Sequence, residues 1–139
     1  MEKVAVVVRD PEDLIKLKRQ LVDFDYSEKN PDFVISFGGD GTYLVSERQY
    51  PGVPKLVVKK GNSICAKCAQ GDIYHLISRI LNRDYDIEKH MKLEAVFHDK
   101  KLVATNDMVF RNKWPTHAIR FNLYIEKNKQ DGVMIGDGL

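Results

Sequence analysis

A chain of 139 residues, 43% hydrophobic and 30% charged, has the composition of a folded globular protein and not of a disordered one. Its formal net charge of +2 is too small to argue for nucleic acid or an anionic membrane as a partner. No apolar run approaches the ~20 residues of a membrane span, and the N-terminal MEKVAVVVRD meets Asp10 too early for a secretory leader, so a cytoplasmic protein is expected.

Lys3–Val8 is a continuous apolar run, the pattern of a strand covered on both faces in a parallel sheet. Asp10-Pro11 reads as an N-cap followed by proline at the first helical position. Leu14, Leu17 and Leu21, flanked by Ile15 and Val22, then form one apolar stripe, so residues 11–23 are expected to be helical. Phe33–Phe37 is a second strand, and β-α-β implies a right-handed crossover with a site at the carboxyl ends of the strands.

At that end the second strand is stopped by Gly38-Gly39-Asp40-Gly41, and from Thr42 the sequence TYLVSERQY can be helical. Strand, glycine turn and helix is the arrangement that brings bare backbone N–H groups close to an anion. A carboxylate inside such a loop would repel phosphate, so Asp40 looks placed for chemistry: accepting a hydroxyl proton, or organising a metal. The competing reading is a plain βα turn in which Asp40 caps the helix.

Pro51, Gly52 and Pro54 precede a third strand at Lys55–Val58, and Ile73, Leu76, Ile77, Ile80 and Leu81 mark a helix over residues 71–82. Between them lie Cys65 and Cys68, spaced C-x-x-C. A zinc site would lack two ligands, and a redox site would lack a thioredoxin-like context, so two reduced, partly buried thiols are expected. Lys59-Lys60, beside the glycine loop, could reach phosphate but reads better as a solvated pair, and His75, His90, His98 and His117 show no ligand or triad spacing.

Near residue 88 the period changes. Residues 92–97 and 102–104 alternate around a turn at 98–101, and Thr116–Glu126 alternates with Ile119, Phe121, Leu123 and Ile125 on one face. A polar turn at 127–132 leads to a strand at Val133–Ile135. The fold class expected is α/β: a Rossmann-like parallel sheet with flanking helices in residues 1–87, then the start of an antiparallel β-rich domain in 88–139. About 50 residues of small antiparallel sheet should bury little core.

GGDGT at 38–42, Asn106-Asp107 entering a strand, and GDGL at 136–139 occur in the order and approximate spacing seen in ATP-NAD kinases, and the chain resembles that family over essentially its whole length. GGDGT alone is shared with diacylglycerol and sphingosine kinases; the Asn-acid pair and GDGL favour NAD kinase. The resemblance implies transfer of a phosphoryl group from ATP, or polyphosphate in some members, to the 2′-hydroxyl of the adenosine ribose of NAD, with Mg²⁺ on the donor phosphates. It implies Asp40 as the general base, with Gly38, Gly39, Gly41 and Thr42 approaching phosphates. Asn106 and Asp107 match the family's Asn-Glu pair at the substrate, Asp being one methylene shorter than Glu, and Asp137 matches the acid that meets the nicotinamide end. A homo-oligomer, dimer or tetramer, is the implied assembly. The family's N-x-G-x-x-G-F-L segment is replaced by KKGNSICAKCA, which keeps Gly61 but sets Cys65 near the adenine-packing aromatic. The chain ends inside the second glycine motif and is expected to be cut off there. An inactive fragment or a nucleotide-binding module without turnover is therefore the alternative, along with a lipid kinase.

Overall fold

The computed structural model describes residues 2–65, 68–69, 71–114, 116–130 and 132–136. The chain divides into two compact units, Met1–Lys89 and His90–Leu139.

In the first unit the uninterrupted apolar runs form a parallel sheet covered on both sides. Its strands are β1 (Lys3–Val8), β2 (Asp25–Tyr26), β3 (Phe33–Gly38) and β4 (Lys55–Lys59), in the order β2-β1-β3-β4. Register runs Val4 to Phe33 through Val8 to Phe37, and Val34 to Lys55 through Gly38 to Lys59. Strand alternation sends Val4, Val6, Phe33 and Ile35 to one face. There they pack on Leu17 and Leu21 beside Ile77 and Ile80. Those partners come from α1 (Pro11–Lys18) with its following turn, and from α3 (Ile73–Leu81). Ala5, Val7 and Val34 face the other way, and α2 (Asp40–Gln49) packs against β3 and β1. Ser36 and Ser46 are completely buried on these elements, and their small side chains let helix and sheet approach closely.

Helix α1 stops at Lys18, five residues before the expected end. Gln20 N and Leu21 N donate to the carbonyls of Leu17 and Lys18, so the last apolar positions sit in three-residue turns that still bury Leu21 and Phe24. The second helix starts at Asp40 and not at Thr42, because Gly39 is its N-cap. The two-residue edge strand β2 has no counterpart in the sequence pattern.

The turn between α2 and β4 is closed by a buried ion pair. Lys55 Nζ lies 2.5 Å from Glu47 Oε2, with side chains 4% and 9% exposed. Lys55 also donates to the carbonyls of Tyr50 and Val53, and Glu47 accepts from Gly52 N–H. Such a pair costs desolvation, but every polar end is matched.

The second unit is built from hairpins. β5 (Leu93–Phe97) pairs with β6 (Lys100–Ala104), β7 (Ile119–Phe121) with β10 (Met134–Gly136), and β8 (Tyr124–Ile125) with β9 (Asn128–Lys129), all antiparallel. The single strand expected over 116–126 is two, because Ile119–Phe121 pairs with β10 while Tyr124–Ile125 pairs with β9, across a reversal at Glu126-Lys127. Both residues have positive φ, 50° and 68°, as a two-residue type I′ hairpin requires, without the Asn-Gly that usually announces it. None of the unit's described residues is buried, in line with the small core expected.

Two outcomes follow from the first unit. Lys55→Met should destabilise it by about 3–5 kcal/mol in urea unfolding, by leaving Glu47 buried alone, and adding Glu47→Leu should recover most of the loss. Burial, with the hydrogen bond from Tyr26 Oη to Glu28, pushes the Tyr26 phenol up to about 12 from an ordinary value near 10. The folded state then holds its proton more tightly than the unfolded one, so this stabilisation is complete below pH 10 and is lost as pH rises toward 12. Alkaline unfolding curves of Tyr26→Phe should be flatter over that interval than those of the parent.

Candidate functional site

Parallel strands deliver their carboxyl ends to one edge of the sheet, and here that edge is hollow. A cavity of about 530 Å³ opens where β1, β3 and β4 end. Arg9 and Asp10 line it from the end of β1; Phe37 and Gly38 line it from β3. Gly39 to Thr42 form its floor at the start of α2, and Lys60, Ser63 and Ile64 border it from the segment after β4.

The glycines are there for space. A Cβ on Gly38 would overlap the Thr42 hydroxyl, and one on Gly39 would lie 2.7 Å from the Ile64 carbonyl oxygen, whereas Gly41 has nothing within 4 Å. Gly39, as N-cap, accepts from the N–H groups of Thr42 and Tyr43, at 3.0 and 3.1 Å. Asp40 N–H donates to Ile64 O at 3.0 Å, and Lys60 N–H donates to Gly38 O at 3.1 Å. The loop is therefore bare of side chains at its three glycines and cross-tied to the 60–64 segment. Asp40 is the first residue of the helix and half-buried in the cavity lining; capping falls to the glycine, so the plain Asp-cap reading does not describe it.

The charges at the mouth are organised. Asp10 caps α1 by accepting from Glu12 N–H at 3.0 Å. Lys60 Nζ lies 2.5 Å from Asp13 Oδ2 and 3.4 Å from Asp10 Oδ2. The Glu12 amide, followed by Lys60, holds the Asp10 carboxyl below its usual range. The hydrogen bond to Asp13, joined by Asp10, raises the Lys60 ammonium above its usual range. The lining thus carries two cations, Arg9 and a fixed Lys60, beside two carboxylates, Asp10 and Asp40.

Among the sequence candidates, Gly38, Gly39, Asp40, Gly41 and Thr42 are brought together around this cavity. Asn106 and Asp107 lie in the second unit, in the bend after β6 and not at the start of a strand, where Asn106 Nδ2 donates to Asp107 Oδ1 at 2.7 Å. Asp137 lies outside the described residues. Arg9 and Asp10 were not singled out for the site, and Lys60, weighed for phosphate but expected to be solvated, is ion-paired with Asp10 and Asp13. Their signal was positional: each directly follows a parallel strand, so each must stand at the edge where the loop turns. Cys65 and Cys68 are not the reduced thiols expected. Their Cα atoms are 5.6 Å apart and a disulfide joins them. The described His, Cys, Asp and Glu residues include no group of three arranged to hold a metal ion, and no helix among them is long and apolar enough to cross a membrane.

Fold and site together define an α/β unit with a glycine-floored, cation-rimmed cavity at the carboxyl edge of its sheet. Similarity to known proteins narrows that class. The chain is 30% identical over 131 residues to an NAD kinase of Thermococcus sibiricus, spanning 92% of this chain and 44% of that protein. It is 31% identical over 133 residues to an NAD kinase of Caldicellulosiruptor saccharolyticus, spanning 86% and 51%. It is 28% identical over 115 residues to a bifunctional NADP phosphatase/NAD kinase of Methanocaldococcus jannaschii, spanning 73% and 20%. The chain thus spans about half, or less, of the length of these relatives. No protein-family model matches it. The matches support assignment of the chain to the NAD kinase family.

The space around the glycines yields a paired outcome. Gly39→Ala should push Ile64 away and cost about 1–3 kcal/mol in denaturant unfolding. Gly41→Ala, in open space inside a helix, should leave stability unchanged or raise it by up to about 1 kcal/mol.

Proposed function

We propose that this chain carries the phosphoryl-transfer site of an NAD kinase. In this reading it takes a phosphoryl group from ATP, or polyphosphate, and esterifies the 2′-hydroxyl of the adenosine ribose of NAD, giving NADP. The observation that carries the reading is the shared cavity: two carboxylates, glycine main chain and two cations at one sheet edge, in a chain similar to NAD kinases.

Phosphoryl transfer passes through a loose transition state, so the protein contributes mainly position and charge. The ribose oxygen attacks the γ-phosphorus, the bond to the β–γ bridging oxygen breaks, and ADP leaves. Asp40 accepts the hydroxyl proton. The Gly38–Gly41 backbone lets the phosphates come close, Thr42 offers its hydroxyl, and Arg9 and Lys60 offset the charge spread over the transferring oxygens. Asn106, Asp107 and Asp137 are proposed to meet the NAD. Mg²⁺ is normally held by one or two carboxylates together with substrate phosphates, and Asp10 and Asp40 in the lining fit that donor set. When bound, the ion supplies neutralisation of the donor phosphates. The protein is read as cytoplasmic and as a homo-oligomer, dimer or tetramer.

One observation favours a second reading, nucleotide binding without turnover. The Asp40 amide is engaged by Ile64 at 3.0 Å.

The deciding assay couples NADP formation to a NADP-specific dehydrogenase, with ATP, Mg²⁺ and NAD supplied. Asp40→Asn should keep the fold and lose about 10²–10⁴ in kcat, the usual worth of a general base. Turnover at the parent rate would remove Asp40 from the chemistry. ATP binding with no NADP formed by the parent chain supports the second reading. Phosphorylation of diacylglycerol or a sphingoid base without NADP would instead mark a lipid kinase.

A further inference from the structure

The Cys65–Cys68 disulfide has no part in the chemistry above, yet it directly follows Ser63 and Ile64, which line the cavity. Both cysteines are half-buried, and each adjoins a residue anchored by backbone hydrogen bonding. Ile64, directly before Cys65, accepts the Asp40 amide at 3.0 Å. Ala69, directly after Cys68, donates to Val57 O at 2.8 Å and bridges to Val58 of β4. The disulfide therefore joins two anchor points, tying the Ile64 carbonyl through Ala69 to the sheet. That carbonyl occupies an amide in the glycine floor, and the same oxygen leaves no room for a Cβ at Gly39.

We infer that Cys65–Cys68 is a thiol–disulfide exchange site whose state sets whether the Asp40 amide faces Ile64 or the cavity. The reaction partner is a dithiol reductant. One of its thiolates attacks a sulfur of the pair and forms a mixed disulfide; its second thiolate resolves that bond. The reductant leaves as a disulfide, and Cys65 and Cys68 gain two electrons and two protons as thiols. Once the covalent tie is gone, Ile64 is held at this edge by its hydrogen bond to Asp40, and a phosphate oxygen competes with it for that amide. The reduced form is thus the tighter nucleotide binder. The ligand half of this inference rests on the nucleotide-binding reading above; the amide half does not.

The test compares the full chain in oxidised glutathione and in dithiothreitol. Amide hydrogen exchange is followed by NMR at Asp40 and at Ile35, and ATP is titrated calorimetrically. Reduction should speed exchange at Asp40 by about tenfold while Ile35 is unchanged, the mark of local and not global opening. The ATP Kd should fall by about three- to tenfold, as expected when a competing internal contact is removed. Cys65→Ser with Cys68→Ser should reproduce the reduced values and ignore dithiothreitol. Equal Asp40 exchange in both states would overturn the inference. So would a rise at Ile35 matching that at Asp40, which would make the disulfide merely a structural staple. Redox-dependent Asp40 exchange with no ATP binding in either state would uphold the exchange site and refute the nucleotide reading.

Discussion

The site depends on one close approach. β3 must end, turn and become α2 within two residues while the segment after β4 passes directly over the turn. Only glycine at positions 38 and 39 permits this, since a side chain at either would strike Thr42 or the Ile64 carbonyl. The same crowding fixes the amides: Lys60 donates to Gly38 and Asp40 to Ile64, so the floor and its neighbouring wall form one hydrogen-bonded piece. Burial elsewhere holds the ends of that piece. Phe33 and Ile35 anchor β3 in the apolar layer under α1 and α3, Ser46 lets α2 lie close to the other face, and the Glu47–Lys55 pair locks the return to β4.

Electrostatics then acts on a rigid frame. Lys60 is exposed enough to meet a ligand, but Asp10 and Asp13 fix its direction, and Asp10 is in turn fixed by its role as helix cap. A cation held this way loses less freedom on binding an anion than a free lysine would. One caps-and-pairs network thereby links the start of α1 to the rim of the cavity, although some fifty residues separate them in sequence.

Much of the first unit could be read from the chain, because its signals are local. Four consecutive apolar residues from Val4 to Val7 need two covered faces, the 73–81 periodicity is strong, and strand-glycine-helix at 33–42 is a short-range pattern. What escaped reading depended on partners distant in sequence or on backbone freedom that composition hides. The length of α1 turned on whether Leu21 is buried by a helix or by turns. The β8–β9 hairpin used positive φ at Glu126 and Lys127, where no glycine or asparagine advertised it. Lys60 looked like surface charge until Asp13, far earlier in the chain, was brought beside it. The disulfide was unreadable for the same reason: C-x-x-C spacing says nothing about whether the following residue is pinned to β4. Only part of the candidate site could be read as well. The glycine loop and Asp40 were identified by residue type, while Arg9 and Asp10 were lost because their importance lies in strand order.

The central claim is that the 38–42 backbone, Arg9 and Lys60 form a single nucleotide phosphate site. Its most direct measurement is amide chemical-shift mapping of the isotope-labelled chain during titration with ATP. The account predicts that the largest shifts cluster at residues 9, 10, 38–42, 60, 63 and 64, with saturable behaviour. Shifts spread evenly over the surface, or concentrated away from the carboxyl edge of the sheet, would contradict it.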